Sequence, residues 1–279
     1  MQEVFIFANS LIDIRPSQLD WDSSKSLDTP IIPKVLSKPF QIVQHVGVIT
    51  IPSGVCSDES RTLIDKLAEG TVYHHHGTYS SLSISGPGRK ISKRSLKIIR
   101  AMEHVGTTRM CIPELDHLSQ ELHRVDQVPD VLPRYRTVFW NCHDYAVHFA
   151  ILAVDQFPPK PALVELSVTI ENSKSAFCRK HEECVIGMML LALCVGSCSC
   201  IFDLFGYTWA HRFILLALLS TTLCNIYYTL WRFQQIEALE KREAWLRVLE
   251  ERFPRLSAFR LRNVAGLFTI RENLWFPRF

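Results

Sequence analysis

Residues 184–202 read CVIGMMLLALCVGSCSCIF and residues 213–231 read FILLALLSTTLCNIYYTLW, nineteen residues each without a charged side chain. At a rise of ~1.5 Å per residue either run makes roughly 28 Å of helix, close to the thickness of a bilayer's hydrocarbon core. Helices buried in a soluble core seldom exceed about 14 uncharged residues, whereas a span needs about 20, so length assigns both runs to a membrane. The connection 203–212, DLFGYTWAHR, supplies Gly206 for a turn and Tyr207 and Trp209 where interfacial aromatics belong. The sequence predicts a transmembrane helical hairpin over 184–231.

Flanking charge orients that hairpin. Lys174, Arg179 and Lys180 precede the first run and Arg232, Lys241, Arg242 and Arg247 follow the second, against Arg212 alone in the connection. Basic residues are retained on the cytosolic side, which places both termini in the cytosol. The opening MQEVFIFANSLIDIR starts with an acid and has too short an apolar stretch for a secretory signal. The expectation is an integral membrane protein, with the lipid bilayer as its first partner and its N-terminal 180 residues cytosolic.

Composition narrows the function classes. The 31 Lys and Arg against 28 Asp and Glu leave a net charge of +3, which excludes an extended basic surface for nucleic acid. Nine cysteines, an odd number with no C-x-x-C pair and with Cys194, Cys198, Cys200 and Cys224 inside the apolar runs, do not form a disulfide framework. There is no P-loop, no G-x-G-x-x-G and no G-x-S-x-G, so phosphoryl and hydride chemistry are unsupported and no cofactor is expected.

Outward from the hairpin, residues 1–39 carry Pro16, Pro30, Pro33 and Pro39 and the polar run DWDSSKSLD, and are read as an irregular arm. Residues 40–172 are read as an α+β domain, a small antiparallel sheet packed with helices. QIVQHVGVITI at 41–51 is a β-branched run closed by Pro52-Ser-Gly54. Further strands are expected at 71–79, 81–85, 135–140 and 157–170. In PELDHLSQELHRV at 113–125, Leu115, Leu118, Leu122 and Val125 share one helical face, and 141–154 is helical with Tyr145, Ala146, Phe149, Leu152 and Ala153 inward. A linker, 173–183, leads to the hairpin. Residues 232–279 form a charged amphipathic helix and tail, with the stripe Ile236, Leu239, Leu246, Leu249 and Phe253 ended by Pro254; this helix is the candidate surface for a protein partner.

One constellation carries chemistry. Cys142 falls in the first turn of a helix, where unpaired backbone N–H groups and the helix dipole favour a thiolate, and an imidazole beside it would accept the thiol proton and later protonate a leaving group. Of eleven histidines, His45 stands inside an otherwise apolar strand, where a lone polar ring needs a partner or a task. His74, His75 and His76 form a run in which alternation sends His74 and His76 to one face and His75 to the other. Three adjacent histidines without a second ligand pair do not make a metal site.

The order of these pieces, a strand with HVGVIT, further strands, an amphipathic helix and then FWNCHDYAVHFAILA opening on Asn-Cys, resembles the circularly permuted papain-like superfamily of lecithin:retinol acyltransferase-like proteins and PPPDE peptidases. The resemblance covers residues 41–155. It implies a permuted papain-like fold with Cys142 as nucleophile and His45 as general base, and a second histidine from the next strand, for which the run offers His74, His75 and His76, with His75 taken as the candidate. The implied activity is a membrane-anchored cysteine hydrolase or acyltransferase, a thiol peptidase or an acyl-transferring enzyme, acting through a thioester on a peptide, isopeptide or lipid acyl carbonyl. Val46 stands where that family favours an aromatic and His143 where Gln, Glu or Asn is common. These departures define the alternative, a catalytically inactive papain-like membrane adaptor.

Overall fold

The structure, a computed structural model, describes residues 1–10, 44–75, 88–90, 99–125, 141–207 and 209–263. The chain divides into two compact units, one made of residues 1–174 and 241–279 and the other of residues 175–240.

The first unit is α+β. Five strands, β1 (Gln2–Ser10), β2 (Gln44–Pro52), β3 (Thr71–Tyr73), β4 (Arg89–Lys90) and β5 (Ile99–Thr108), form one antiparallel sheet in the order β4-β3-β2-β1-β5. Residues 2–10, expected in an irregular arm, therefore form an interior strand. The prolines that dominate the composition of 1–39 all follow Ser10, and VFIFA at 4–8 is apolar at every position because both faces of β1 are covered. The expected strands at 81–85 and 135–140 lie outside the described residues, as do residues 76–79 of the strand expected at 71–79.

The helices are α1 (Ser53–Cys56), α2 (Leu63–Ala68), α3 (Ile112–Val125), α4 (Cys142–Ala153), α5 (Pro161–Leu204), α6 (Ala210–Arg252) and α7 (Pro254–Asn263), of which α5 and α6 run from one unit into the other. One sheet face, with Val4, Ile6, Val46, Val48 and Tyr73, packs against α3 and α4. The other, with Phe5, Phe7, Ile49, Ile51 and Val72, is covered by Leu67 of α2 and by α1. Two glycines permit close approaches. A Cβ on Gly47 would stand 2.7 Å from the Phe7 ring, and Gly106, at φ +153° beside a register shift in β5, lets Val154 at the end of α4 lie against the strand.

The strand expected at 157–170 is instead the start of α5. Its β-branched Val164, Val168, Thr169 and Ile170 read as sheet formers, but Pro161 occupies the first helical position, where its missing N–H costs nothing. Leu163, Leu166 and Ile170 are buried at helical spacing while Val168 is exposed. The helix continues unbroken through the expected linker 173–183. At the other end α6 stops at Arg252 and Pro254 opens α7. Trp245 and Leu249 of α6, each 0% exposed, and Leu256 and Phe259 of α7 belong to the same core as the helix-covered sheet face. The Leu246, Leu249 and Phe253 part of the expected apolar stripe is thus occupied by the chain's own domain, while Ile236 is exposed.

In the second unit, α5 and α6 each contain a window long and apolar enough to cross a membrane. Only 11% and 6% of those windows is buried, unlike the core hairpin of a soluble protein; Leu191 and Leu215 are 66% and 67% exposed. Aromatic clusters lie toward the two ends of the apolar runs. At one end His181 lies against Tyr227 and Trp231, and Tyr228 donates to Glu182 at 2.6 Å. At the other, Phe202, Tyr207, Trp209 and Phe213 pack with ring centroids 5.5–6.0 Å apart. At ~1.5 Å per residue, His181 and Phe202 are separated by roughly 32 Å along α5.

Candidate functional site

Cys142 is the first residue of α4, and the cap before it is complete. Asn141 is extended, and its side-chain oxygen accepts from the backbone N–H of His143 at 2.9 Å and of Asp144 at 3.4 Å. Asp144 answers by accepting from the Asn141 N–H at 3.1 Å, a reciprocal capping box. The pattern Asn-x-x-Asp fixes where the helix starts and so fixes Cys142 at its N-terminal turn. Almost every side chain of α4 is buried, the condition of a helix covered on all sides. Cys142 itself is 2% exposed.

Two faces of α4 do different work. Toward the sheet, Phe149 stacks on Tyr73 of β3 with centroids 4.7 Å apart, and Tyr145 stacks on His75 at 5.7 Å. Tyr145 also shares a 2.7 Å hydrogen bond with Ser119 of α3. Cys142 precedes Tyr145 by three residues and therefore lies on this same face, one turn nearer the N-terminus. His75 is buried at 1% exposure. The structure thus brings together the helix face that carries Cys142 and the imidazole of His75.

It does not bring His45 to that face. Val46 and Val48 of β2 point toward α4, so alternation puts His45, with Gly47, Ile49 and Ile51, on the opposite face. There the His45 Nε2 lies 3.2 Å from Nδ1 of His74, with the rings edge to face. The sheet separates this imidazole pair from α4. His76, the third of the run, lies outside the described residues.

The side of α4 away from the sheet holds a buried ionic cluster. Asp144 is paired with Lys174 of α5 and lies 3.6 Å from Arg242 of α6; Glu171 of α5 is 2.6 Å from Arg242 and 3.3 Å from Lys174. All four residues belong to the first unit. Burial alone would raise the Asp144 carboxyl, but the charges of Lys174 and Arg242 and the Lys174 hydrogen bond hold it below the ordinary carboxylate value. Glu171 is held low in the same way, its burial outweighed by Arg242 and Lys174. His148, one turn after Asp144, donates from Nδ1 to the Asp144 carbonyl at 2.7 Å, and burial pulls its imidazole below the ordinary value. The sequence did not signal this cluster. Lys174 and Arg242 read there as membrane-flanking charges, and the clue available was the i, i+3 pair Glu171 and Lys174 beside apolar Leu166 and Ile170.

A second polar chain crosses the far edge of the sheet. Lys160 donates to Nδ1 of His104 at 2.9 Å, and Nε2 of His104 meets Glu3 at 2.8 Å. Near it the Cys56 thiol is pushed up to about 11, by burial first and then by the Glu3 carboxylate, against the opposing charge of Lys66. Cys56 is therefore a poor nucleophile and a useful internal reference for Cys142. Among the described residues no cluster of three or more His, Cys, Asp or Glu could hold a metal ion.

No family model, curated protein or solved structure matches this chain.

Proposed function

We propose that the chain is a membrane-anchored thiol enzyme of the acyl-transfer class, with Cys142 as nucleophile and His75 as its general base. The observation that carries this reading is the shared face of α4, on which Cys142 stands one turn from the tyrosine that stacks on His75. The His-box and Asn-Cys resemblance to permuted papain-like enzymes supports it from sequence, with one change: the base is His75, just after β3 and stacked on Tyr145 of α4, in place of His45.

In this mechanism His75 takes the Sγ proton and the thiolate attacks the acyl carbonyl carbon. The collapsing intermediate expels its leaving group, which takes the proton back from His75, and a thioester on Cys142 remains. Water or an acceptor hydroxyl or amine, deprotonated by His75, then attacks the thioester and the thiolate leaves. The Cys142 N–H, at the first helical position, is the candidate oxyanion donor. The acyl group comes from a peptide, an isopeptide or a lipid ester; a domain tethered to the bilayer suits the lipid.

The two windows of α5 and α6 cross the membrane in this account, with aromatic girdles about one hydrocarbon thickness apart. Lys174 and Arg242 are engaged in the buried cluster, yet Arg179, Lys180, Arg232, Lys241 and Arg247 still outnumber Arg212, so both termini stay cytosolic. A tag after Phe279 should be digested by protease added to sealed vesicles whose lumen is protected; protection of that tag would reverse the topology.

The alternative of an inactive adaptor draws on the burial of Cys142 and on the position of His45. Alkylation of the membrane-embedded chain across pH separates the two. The expected result is a Cys142 midpoint below the ordinary thiol value of about 8.5, raised by His75→Gln and unmoved by His45→Gln, with Cys56 reacting only at much higher pH. A Cys142 no more reactive than Cys56 in the wild-type chain would sink the enzyme reading and leave the adaptor.

A further inference from the structure

The capping carboxylate of α4 is shared between two tasks. One Asp144 oxygen accepts from the Asn141 N–H and closes the cap; the other is paired with Lys174 and faces Arg242. A capping-box acid ordinarily sits in water, where its charge is screened. This one is 3% exposed, so its charge is compensated inside the protein or not at all. Lys174 comes from the part of α5 that precedes the first apolar run, and Arg242 from the part of α6 that follows the second. With Glu171 they make a set of two carboxylates and two cations, neutral as a whole.

We propose that Lys174, Arg242 and Glu171 are positioning residues for Cys142: through Asp144 they hold the first turn of α4 and set the charge that the thiol meets. The inference rests on the thiol reading of Cys142 and adds to it the groups that poise the thiolate. Among the described residues, these charged and titratable groups surround the helix. His75 and Tyr73 stand on the sheet side, and the Asp116 carboxylate of α3, which accepts from the Gly88 N–H, adds its charge near Tyr73. His143, Asp144, Tyr145 and His148 belong to α4 itself, all but His148 buried to 4% exposure or less, and Glu171, Lys174 and Arg242 reach it from α5 and α6. Asp155 and Arg255 lie at its opposite end.

Charge within the cluster gives two variants of opposite sign. Arg242→Met leaves it with one excess negative charge beside the N-terminal turn, and Glu171→Gln leaves it with one excess positive charge. At separations of about 10 Å inside a protein, a unit charge moves a titration by about one pH unit. The experiment is alkylation of Cys142 by iodoacetamide in the full chain reconstituted in nanodiscs, followed by mass spectrometry across pH. Arg242→Met is expected to raise the midpoint by about one unit, Glu171→Gln to lower it by a similar amount, and Arg242→Lys to keep the wild-type value. Loosened packing would not move the midpoint in opposite directions. If Arg242→Met does not fold, Glu171→Gln carries the test, and a midpoint unmoved or raised in that variant overturns the proposal. A wild-type midpoint at or above the ordinary thiol value overturns the thiol reading instead, so the two failures are distinct.

Discussion

Replacing Trp245 by alanine is expected to destabilise the α+β domain by about 3–5 kcal/mol, the usual cost of truncating a large buried aromatic. Trp245 is 0% exposed and packs with Leu249 into the core built by the sheet and α4, and its ring meets His148 edge to face at a centroid distance of 6.2 Å. Yet it lies after both apolar runs. The domain is therefore closed by a segment that re-enters it after the hairpin, and a chain truncated before residue 241 would leave this core open. Denaturant unfolding in detergent, read by tryptophan-independent proteolysis of residues 44–75, checks the size of the effect. Ile236→Ala, on a residue 38% exposed in the second unit, should change the same midpoint little. A Trp245→Ala chain as stable as wild type would remove α6 from the core.

Asp144→Ala is expected to cost a similar amount, about 3–5 kcal/mol, because it leaves Lys174 and Arg242 buried against a single carboxylate. The pH dependence has a definite sign. Asp144 and Glu171 have carboxyls held below their ordinary values. A depressed carboxyl contributes stability that is present above its unfolded value of about 4 and is lost as pH falls from there through the folded value. His148 is also depressed, by burial first, so the unfolded chain binds its proton more readily and stability begins to fall below about pH 6.5. Stability should be flat above neutrality, decline through a first step removed by His148→Phe, and decline again below about pH 4. That second step should shrink in Asp144→Asn. A wild-type profile level from pH 7 to 4 would contradict the burial of His148, and one that stays level as pH falls from about 4 to about 2 would contradict the buried carboxylate network.

The elements whose signals are local were legible in the sequence. Asn-Cys at 141–142 opens a helix, Leu115, Leu118 and Leu122 show one face of α3, the β-branched run at 46–51 shows β2, and uninterrupted length shows both apolar helices. The failures have physical causes. β1 is covered on both faces, so VFIFA offers no alternation, and its prolonged Pro-rich sequel dominated the reading of 1–39. The start of α5 is made of residues that favour strands, and burial of Leu163, Leu166 and Ile170 in the common core overrides that preference. The candidate site was half legible. Alternation separates His74 from His75 and His45 from Val46, but which sheet face receives α4 depends on packing among segments far apart in sequence. That choice sends His75, not His45, to the cysteine helix. The ionic cluster was invisible for the same reason, since Asp144, Lys174 and Arg242 meet only after α5 and α6 have folded back on the domain.

Cys142 is expected to form a thioester with the help of His75. The direct measurement is the intact mass of the nanodisc-embedded chain after brief exposure to a p-nitrophenyl acyl ester, with the adduct located by peptide mapping and tested for release by hydroxylamine. The account predicts a hydroxylamine-labile acyl group on Cys142 in the wild type and in His45→Gln, none in Cys142→Ala, and formation slowed at least about 100-fold in His75→Gln, the ordinary contribution of a positioned general base. Acylation of Cys142 at equal rates with and without His75, or an adduct on Cys56 and none on Cys142, would contradict it.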